Sequence, residues 1–145
     1  MSFGYHKYNL EILDTAGQDD YQTMLDSWIA SADGFILVYS IDDKESFDVL
    51  RSKHDRIIKN KSNDKPPIII VGNKCDLVDK RKVSQEEAEK ISKAWNVHFL
   101  EVSALEKINV KETFLIVAKE LLIKKGKINN KTKHEDEGKK RCYCF

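Results

Sequence analysis

Three short stretches carry side chains able to handle a phosphorylated purine. The first is Asp14-Thr15-Ala16-Gly17-Gln18, where an apolar segment gives way to an acid, a glycine and a glutamine. A carboxylate at that point can hold Mg²⁺, directly or through water, beside a nucleotide's phosphates. A glycine three residues on lets a backbone N–H approach the terminal phosphate closely, and the next glutamine can orient an attacking water. Asp-x-x-Gly is also a common sequence for an ordinary turn after a strand. The second stretch is Asn73-Lys74-Cys75-Asp76. A carboxylate at Asp76 can accept from both N1–H and N2–H of guanine; adenine offers no such donor pair and would leave the acid unpaired. An Asn73 amide can tether neighbouring loops, and the Lys74 aliphatic stem can lie along a base face. Cys75 reads as a small filler rather than a reactive thiol. The third stretch is Ser103-Ala104-Leu105, where the serine can brace a loop and a backbone N–H near Ala104 can donate to a guanine O6.

These stretches need strands to position them. Four apolar runs, 8–13, 34–41, 67–71 and 97–102, read as buried strands, and the second and third are nearly continuous in β-branched and aromatic residues. That is the pattern of a parallel sheet covered on both faces. Helical patterns alternate with the runs. After Asp42, read as an N-cap with Glu45 three residues on, Phe47, Leu50, Ile57 and Ile58 share a face. Ser84 and Glu87 form a capping box ahead of the stripe Ala88, Ile91 and Trp95. Phe114, Leu115, Ala118, Leu121 and Leu122 mark a last amphipathic helix running to about Lys125. Alternating strands and helices imply an α/β fold, whose ligands bind at the carboxyl ends of the strands. Each of the three stretches follows an apolar run. The lone histidines show no metal-ligand spacing, and no Gly-x-Ser-x-Gly elbow is present.

"DTAGQ", "GNKCD" and "EVSAL", in this order and each at a strand end, resemble the motifs of a Ras superfamily small GTPase. "ILDTAGQDDY" and "GFILVYSIDDKESFDVL" are similar to the Ras/Rap/Rheb branch. The resemblance covers residues 8–122 and implies a P-loop NTPase-like, mostly parallel sheet flanked by helices. It implies a GTP/GDP-binding switch that hydrolyses GTP with Mg²⁺ in membrane-associated signalling. Asp14 would support Mg²⁺, Gly17 would meet the γ-phosphate and Gln18 would position the hydrolytic water. Asn73, Lys74 and Asp76 would read guanine, with Ser103, Ala104 and Leu105 closing over the base. Leu105 stands where lysine is commoner, which weakens only the packing over the base. Residues 18–31, with Met24, Leu25, Trp28 and Ile29 at helical spacing, would contact activating proteins, exchange factors and effectors. Ile29 is expected in the core.

No Gly-x-x-x-x-Gly-Lys-Ser/Thr occurs in the 145 residues. That loop supplies the backbone N–H groups, lysine and hydroxyl that hold phosphates and Mg²⁺. The sequence therefore reads as an N-terminally truncated member, lacking the first strand, P-loop, first helix and first switch, and impaired in nucleotide binding. The alternative is a noncatalytic protein that binds regulators or effectors through its second-switch region. In the family's sheet the missing strand lies between the runs at 8–13 and 34–41. Those two are expected either to pair directly or to leave the segment up to Ser31 loosely packed.

The net charge of +1 argues against a whole-molecule nucleic-acid binder, but it hides an asymmetry. Residues 124–145 carry eight basic and three acidic side chains, a net +5 against −4 for the rest. Either a solvated disordered end or a tail that seeks an anionic surface fits that charge. The division expected is a partial G domain, 1–125, and a flexible basic tail, 126–145. The last four residues, Cys142-Tyr143-Cys144-Phe145, match C-a-a-X, and the terminal Phe favours geranylgeranyl on Cys142. With three cysteines in all, no signal peptide and no 18-residue apolar run, the expected location is cytoplasmic, peripheral on a membrane such as the plasma membrane.

Overall fold

Continuous apolar runs build the centre of the sheet, and a computed structural model of the chain shows how. It describes residues 2–3, 6–7, 9–15, 22–62, 64–126 and 140–144. The strands are β1 (Ser2–Phe3), β2 (His6–Lys7), β3 (Leu10–Asp14), β4 (Gly34–Ser40), β5 (Ile68–Asn73), β6 (His98–Glu101) and β7 (Lys140–Cys144). The helices are α1 (Gln22–Ser31), α2 (Lys44–Asp48), α3 (Leu50–Asn60), α4 (Gln85–Trp95) and α5 (Val110–Lys124). β1 and β2 pair antiparallel by themselves. The other five strands form one sheet in the order β3-β7-β4-β5-β6, with parallel pairing throughout. This is the α/β architecture expected from the sequence.

Side chains alternate across a strand, so a run that is apolar throughout feeds two cores. Phe35, Leu37 and Tyr39 of β4 and Ile68 and Ile70 of β5 pack on one face. There they meet Ile29 of α1, Phe47 of α2, Leu50 and Ile57 of α3, and Ala88 of α4. Ile36, Ile69 and Val71 face the other way, against Val117 and Leu121 of α5. Ile29 is in the core, as expected, at 1% exposure.

Three local readings shift. Asp43, not Asp42, caps α2, its carboxylate accepting from the backbone N–H of Glu45 and Ser46 at 3.0 and 3.3 Å. The helical stretch after it is two segments joined at Val49, which keeps α-helical angles. Ile58 leaves the buried face and is 44% exposed. At α4 only half the capping box forms: Ser84 Oγ accepts from Glu87 N–H at 3.2 Å, while the Glu87 carboxylate takes Lys44 instead.

A larger difference lies between β3 and β4. They do not pair with each other, because β7 lies between them, and within the segment up to Ser31 Ile29 of α1 is held in the core. Where the sequence reading places a basic tail, residues 140–144 are a central strand. Two facing rows of unpaired N–H and C=O groups carry a large cost, and a segment that bonds to both removes it. Such pairing is a long-range effect with no local periodicity to announce it.

One close approach shapes the active end of the sheet. Tyr39 and Gly72 are in register, and a Cβ on Gly72 would lie 2.7 Å from the Tyr39 hydroxyl. That hydroxyl is buried and finds no partner among the described residues. Burial, with the Glu101 charge adding to it, raises the phenol's pKa above its ordinary value. The unfolded phenol ionises first, so the stability carried by the neutral buried form is present below about pH 10 and lost above it. Tyr39→Phe is expected to raise unfolding free energy at pH 7 by about 1 kcal/mol. It should also flatten the decline above pH 10; urea unfolding at pH 7 and pH 11 checks both.

Candidate functional site

All strands of the main sheet run parallel, so their carboxyl ends gather on one side. β5 ends there with Asn73, and the chain turns sharply through Lys74 at φ 64. The Asn73 side-chain oxygen accepts from the backbone N–H of Lys74 at 2.8 Å and of Ala104 at 3.3 Å. Cys75 N–H donates to the Val102 carbonyl at 3.0 Å, and Val102 N–H to the Gly72 carbonyl at 2.8 Å. The loops after β5 and β6 are thus stapled together by the amide that the sequence suggested as a tether. The second loop is closed on itself. Ser103 and Ile108 exchange backbone hydrogen bonds at 3.1 and 2.9 Å, and Ser103 Oγ accepts from Glu106 N–H at 3.0 Å.

These loops bring Asn73, Lys74, Asp76, Ser103, Ala104 and Leu105 into one neighbourhood. Ser103 is fully buried as a brace, whereas Leu105 is 77% exposed. The Asp76 Oδ1 atom is buried and has no hydrogen-bond partner among the described residues. A buried acceptor left unmet costs about 1–3 kcal/mol, more if charged, and a ligand with paired N–H donors relieves that cost. Guanine is such a ligand. The Ala104 N–H is engaged by Asn73, at a distance long enough to make a weak bond. Cys75 is half-buried, and burial together with Glu101 and Asp76 raises its thiol pKa, in keeping with a filler.

Three residues that sequence reading missed hold this end together. Asp42 accepts from Lys74 Nζ at 3.1 and 3.2 Å and from Ser40 Oγ, and these bonds hold its carboxyl below the usual range. It therefore fixes Lys74, in the loop that follows β5. Its signal was available, since it is an acid just after a strand at the same end of the sheet. Arg81 and Glu101 form a two-pronged ion pair at 2.6 and 2.9 Å, and Arg81 also donates to the Val83 carbonyl at 3.1 Å. Glu101 raises the arginine's pKa. Twenty residues separate the two, and no local pattern links them.

Asp14 ends β3 and is exposed. Two strands, β7 and β4, stand between it and β5, a lateral distance of about 14 Å at ordinary strand spacing. A ligand that touches both must be extended enough to cross that distance. No cluster of three or more His, Cys, Asp or Glu occurs among the described residues. Mg²⁺ is commonly held by one or two carboxylates plus the substrate's phosphates, so one acid at this place fits that cation. Gly17 and Gln18 lie outside the described residues. Cys142 is the middle residue of β7.

The model of the Ras family matches residues 1–123. The chain belongs to the Ras family. It is 45% identical over 112 residues to Ras-like protein rasB of Dictyostelium discoideum, covering 77% of this chain and 57% of that protein. Ras-like protein rasS of the same organism is 41% identical over 128 residues, 88% of this chain and 65% of its own length. This Ras-family chain spans about three-fifths of the length of the curated relatives it matches. Its sheet and flanking helices are those of a Ras-like α/β fold, and no described helix is long and apolar enough to cross a membrane.

Proposed function

We propose that this chain is the greater part of a Ras-like GTPase, a GTP/GDP switch. The single observation that supports this most is the buried, unpartnered Asp76 oxygen beside loops stapled by Asn73. Asn73, Lys74 and Asp76 read guanine, and Ser103, Ala104 and Leu105 close over it. Asp14 supports Mg²⁺, which supplies charge neutralisation at the phosphates when bound. Gly17 meets the γ-phosphate and Gln18 orients the hydrolytic water. Residues 18–31 receive activating proteins, exchange factors and effectors; within them Met24 is 51% exposed while Leu25 and Trp28 are partly buried on the core. Residues 1–125 form the G-domain portion. The basic segment 126–145, geranylgeranylated at Cys142, places the protein on the cytoplasmic face of an anionic membrane, the plasma membrane first among them.

Within these 145 residues no Gly-x-x-x-x-Gly-Lys-Ser/Thr supplies a phosphate cradle. The chain as given therefore binds nucleotide weakly. The same observation favours the second reading, a noncatalytic Ras-like protein that engages regulators through residues 18–31.

In a form that carries a phosphate-binding loop ahead of residue 1, Gln18→Leu is expected to slow activator-stimulated GTP hydrolysis about a hundredfold, the usual scale of lost positioning. Unchanged single-turnover rates would remove Gln18 from that role. In cells fed a clickable isoprenoid, Cys142→Ser should abolish labelling of the chain. Equal labelling of both forms would place the lipid elsewhere or nowhere.

A further inference from the structure

At the amino ends of β4 and β5, opposite the loops that follow β5 and β6, the chain gathers lysines. α1, α3 and α5 all finish here, and hydrogen bonds join their ends into a ring. Lys61 Nζ donates to the Ala30 carbonyl near the end of α1 at 2.7 Å. Lys125 Nζ donates to Asp33, just ahead of β4, at 2.6 Å. Lys124 Nζ bonds the Asp64 carboxylate and, at 2.7 Å, the Lys65 carbonyl. Asp64 N–H returns to the Lys61 carbonyl at 2.7 Å. Lys59, in the last turn of α3, and Lys65, in the loop before β5, are exposed beside them. Five lysines thus stand against two aspartates, a net +3, while the nearby Asp26 and Arg56 pair with each other at 2.7 Å. Ile58, 44% exposed, lies one turn before Lys61.

Lysines near helix carboxyl ends complement the helix dipole, which accounts for Lys59, Lys61 and Lys124. It does not account for Lys65, nor for an aliphatic side chain left outside among cations. Exposed ion pairs add little to stability, and each ammonium has three donors, so these lysines can turn to phosphate oxygens at small cost. Cations around an exposed aliphatic group suit a bilayer surface, where ammoniums meet anionic headgroups and the apolar group enters the interface. We propose that this end of the domain, with Lys59, Lys61, Lys65, Lys124 and Lys125 around Ile58, is a docking face for an anionic phospholipid surface. The face stands on the described residues; the choice of a membrane over an acidic protein rests on the lipidation reading above. α5 ends inside the patch, so the segment 126–145, which that reading attaches to the membrane, sets out from it. Docked this way, the strands rise from the bilayer. The loops after β5 and β6, about 20 Å away at the other end of those strands, then face away from it.

The test floats the 145-residue chain, as Cys142→Ser so that no lipid contributes, with phosphatidylcholine vesicles that hold either no phosphatidylserine or about 30% of it. Partition should rise about a hundredfold with the anionic lipid, since each net charge near the surface adds about a fivefold factor. Lys59→Gln together with Lys65→Gln should lower partition into the anionic vesicles about tenfold or more. Both side chains are exposed, so the fold should tolerate the change. Spin-labelled lipid in the same vesicles should broaden the amides of Lys59, Lys61, Lys65, Lys124 and Lys125 and leave those of Lys74, Asp76 and Ala104 sharp. Equal partition with and without phosphatidylserine would overturn the anionic membrane as the partner. Binding lost on neutralising Lys139, Lys140 and Arg141, but unmoved by the Lys59 and Lys65 changes, would give the contact to the C-terminal segment and overturn the face. Because the Cys142 sulfur is absent throughout, failure of isoprenoid labelling in cells would overturn the lipidation reading by itself, while flotation still decides the face.

Discussion

Asp76→Ala should erase the preference for guanine over adenine nucleotides, reducing the selectivity ratio by about 10²- to 10⁴-fold. Hydrogen bonds to a charged acceptor contribute about 1.5–3 kcal/mol each, and a guanine offers two. Every 1.4 kcal/mol is about a factor of ten, which sets the range. The carboxylate oxygen is buried and unpaired among the described residues, so the site is poised for a donor pair and penalises a base that lacks one. The fold should survive the change, because no described contact depends on that oxygen. Competition between guanine and adenine diphosphates for the wild type and the variant gives the ratio directly. A ratio unchanged by the substitution would take base reading away from Asp76.

Leu121→Ala is expected to lower unfolding free energy by about 2–5 kcal/mol, the range for a buried Leu cut to Ala. Leu121 is fully buried, packs with Ile36, Ile69, Val71 and Val117, and reaches the backbone at Gly34, where an added Cβ would lie 3.3 Å from its Cδ2. α5 is the only described helix contributing to this second core, so no neighbouring helix can shift in to fill the hole. Against a total of about 5–15 kcal/mol for a typical domain, the loss is large enough to unfold part of the population. Ile58→Ala, at an exposed position, should change stability by no more than about 0.5 kcal/mol. Urea unfolding followed by circular dichroism measures both. A loss below about 1 kcal/mol at Leu121 would mean that the second core is not packed as described.

Much of this was legible because it is local. The β-branched runs at 34–41 and 67–71 announce buried parallel strands, and the motifs after them land at the carboxyl ends, where α/β sheets bind ligands. Ile29 could be placed in the core from helical spacing alone. Caps blurred by one residue: Asp42 and Asp43 are adjacent acids, and only the structure shows that Asp43 caps α2 while Asp42 holds Lys74. The Arg81–Glu101 pair and β7 were out of reach for a different reason. Both depend on partners brought together by the finished sheet, and Lys140–Cys144 has no apolar period by which a strand could be recognised.

The most direct test of guanine recognition at the carboxyl ends of β5 and β6 is a ¹H–¹⁵N titration of the 145-residue chain with GDP and with ADP, both with Mg²⁺. With GDP, the amides of Asn73, Lys74, Asp76, Ala104 and Leu105 should shift along a saturable curve weaker than about micromolar, because no phosphate cradle adds its contacts. ADP should leave them in place. Equal shifts with the two nucleotides would contradict guanine recognition at Asp76, and GDP binding at about micromolar or tighter would contradict the dependence of affinity on the phosphate-binding loop.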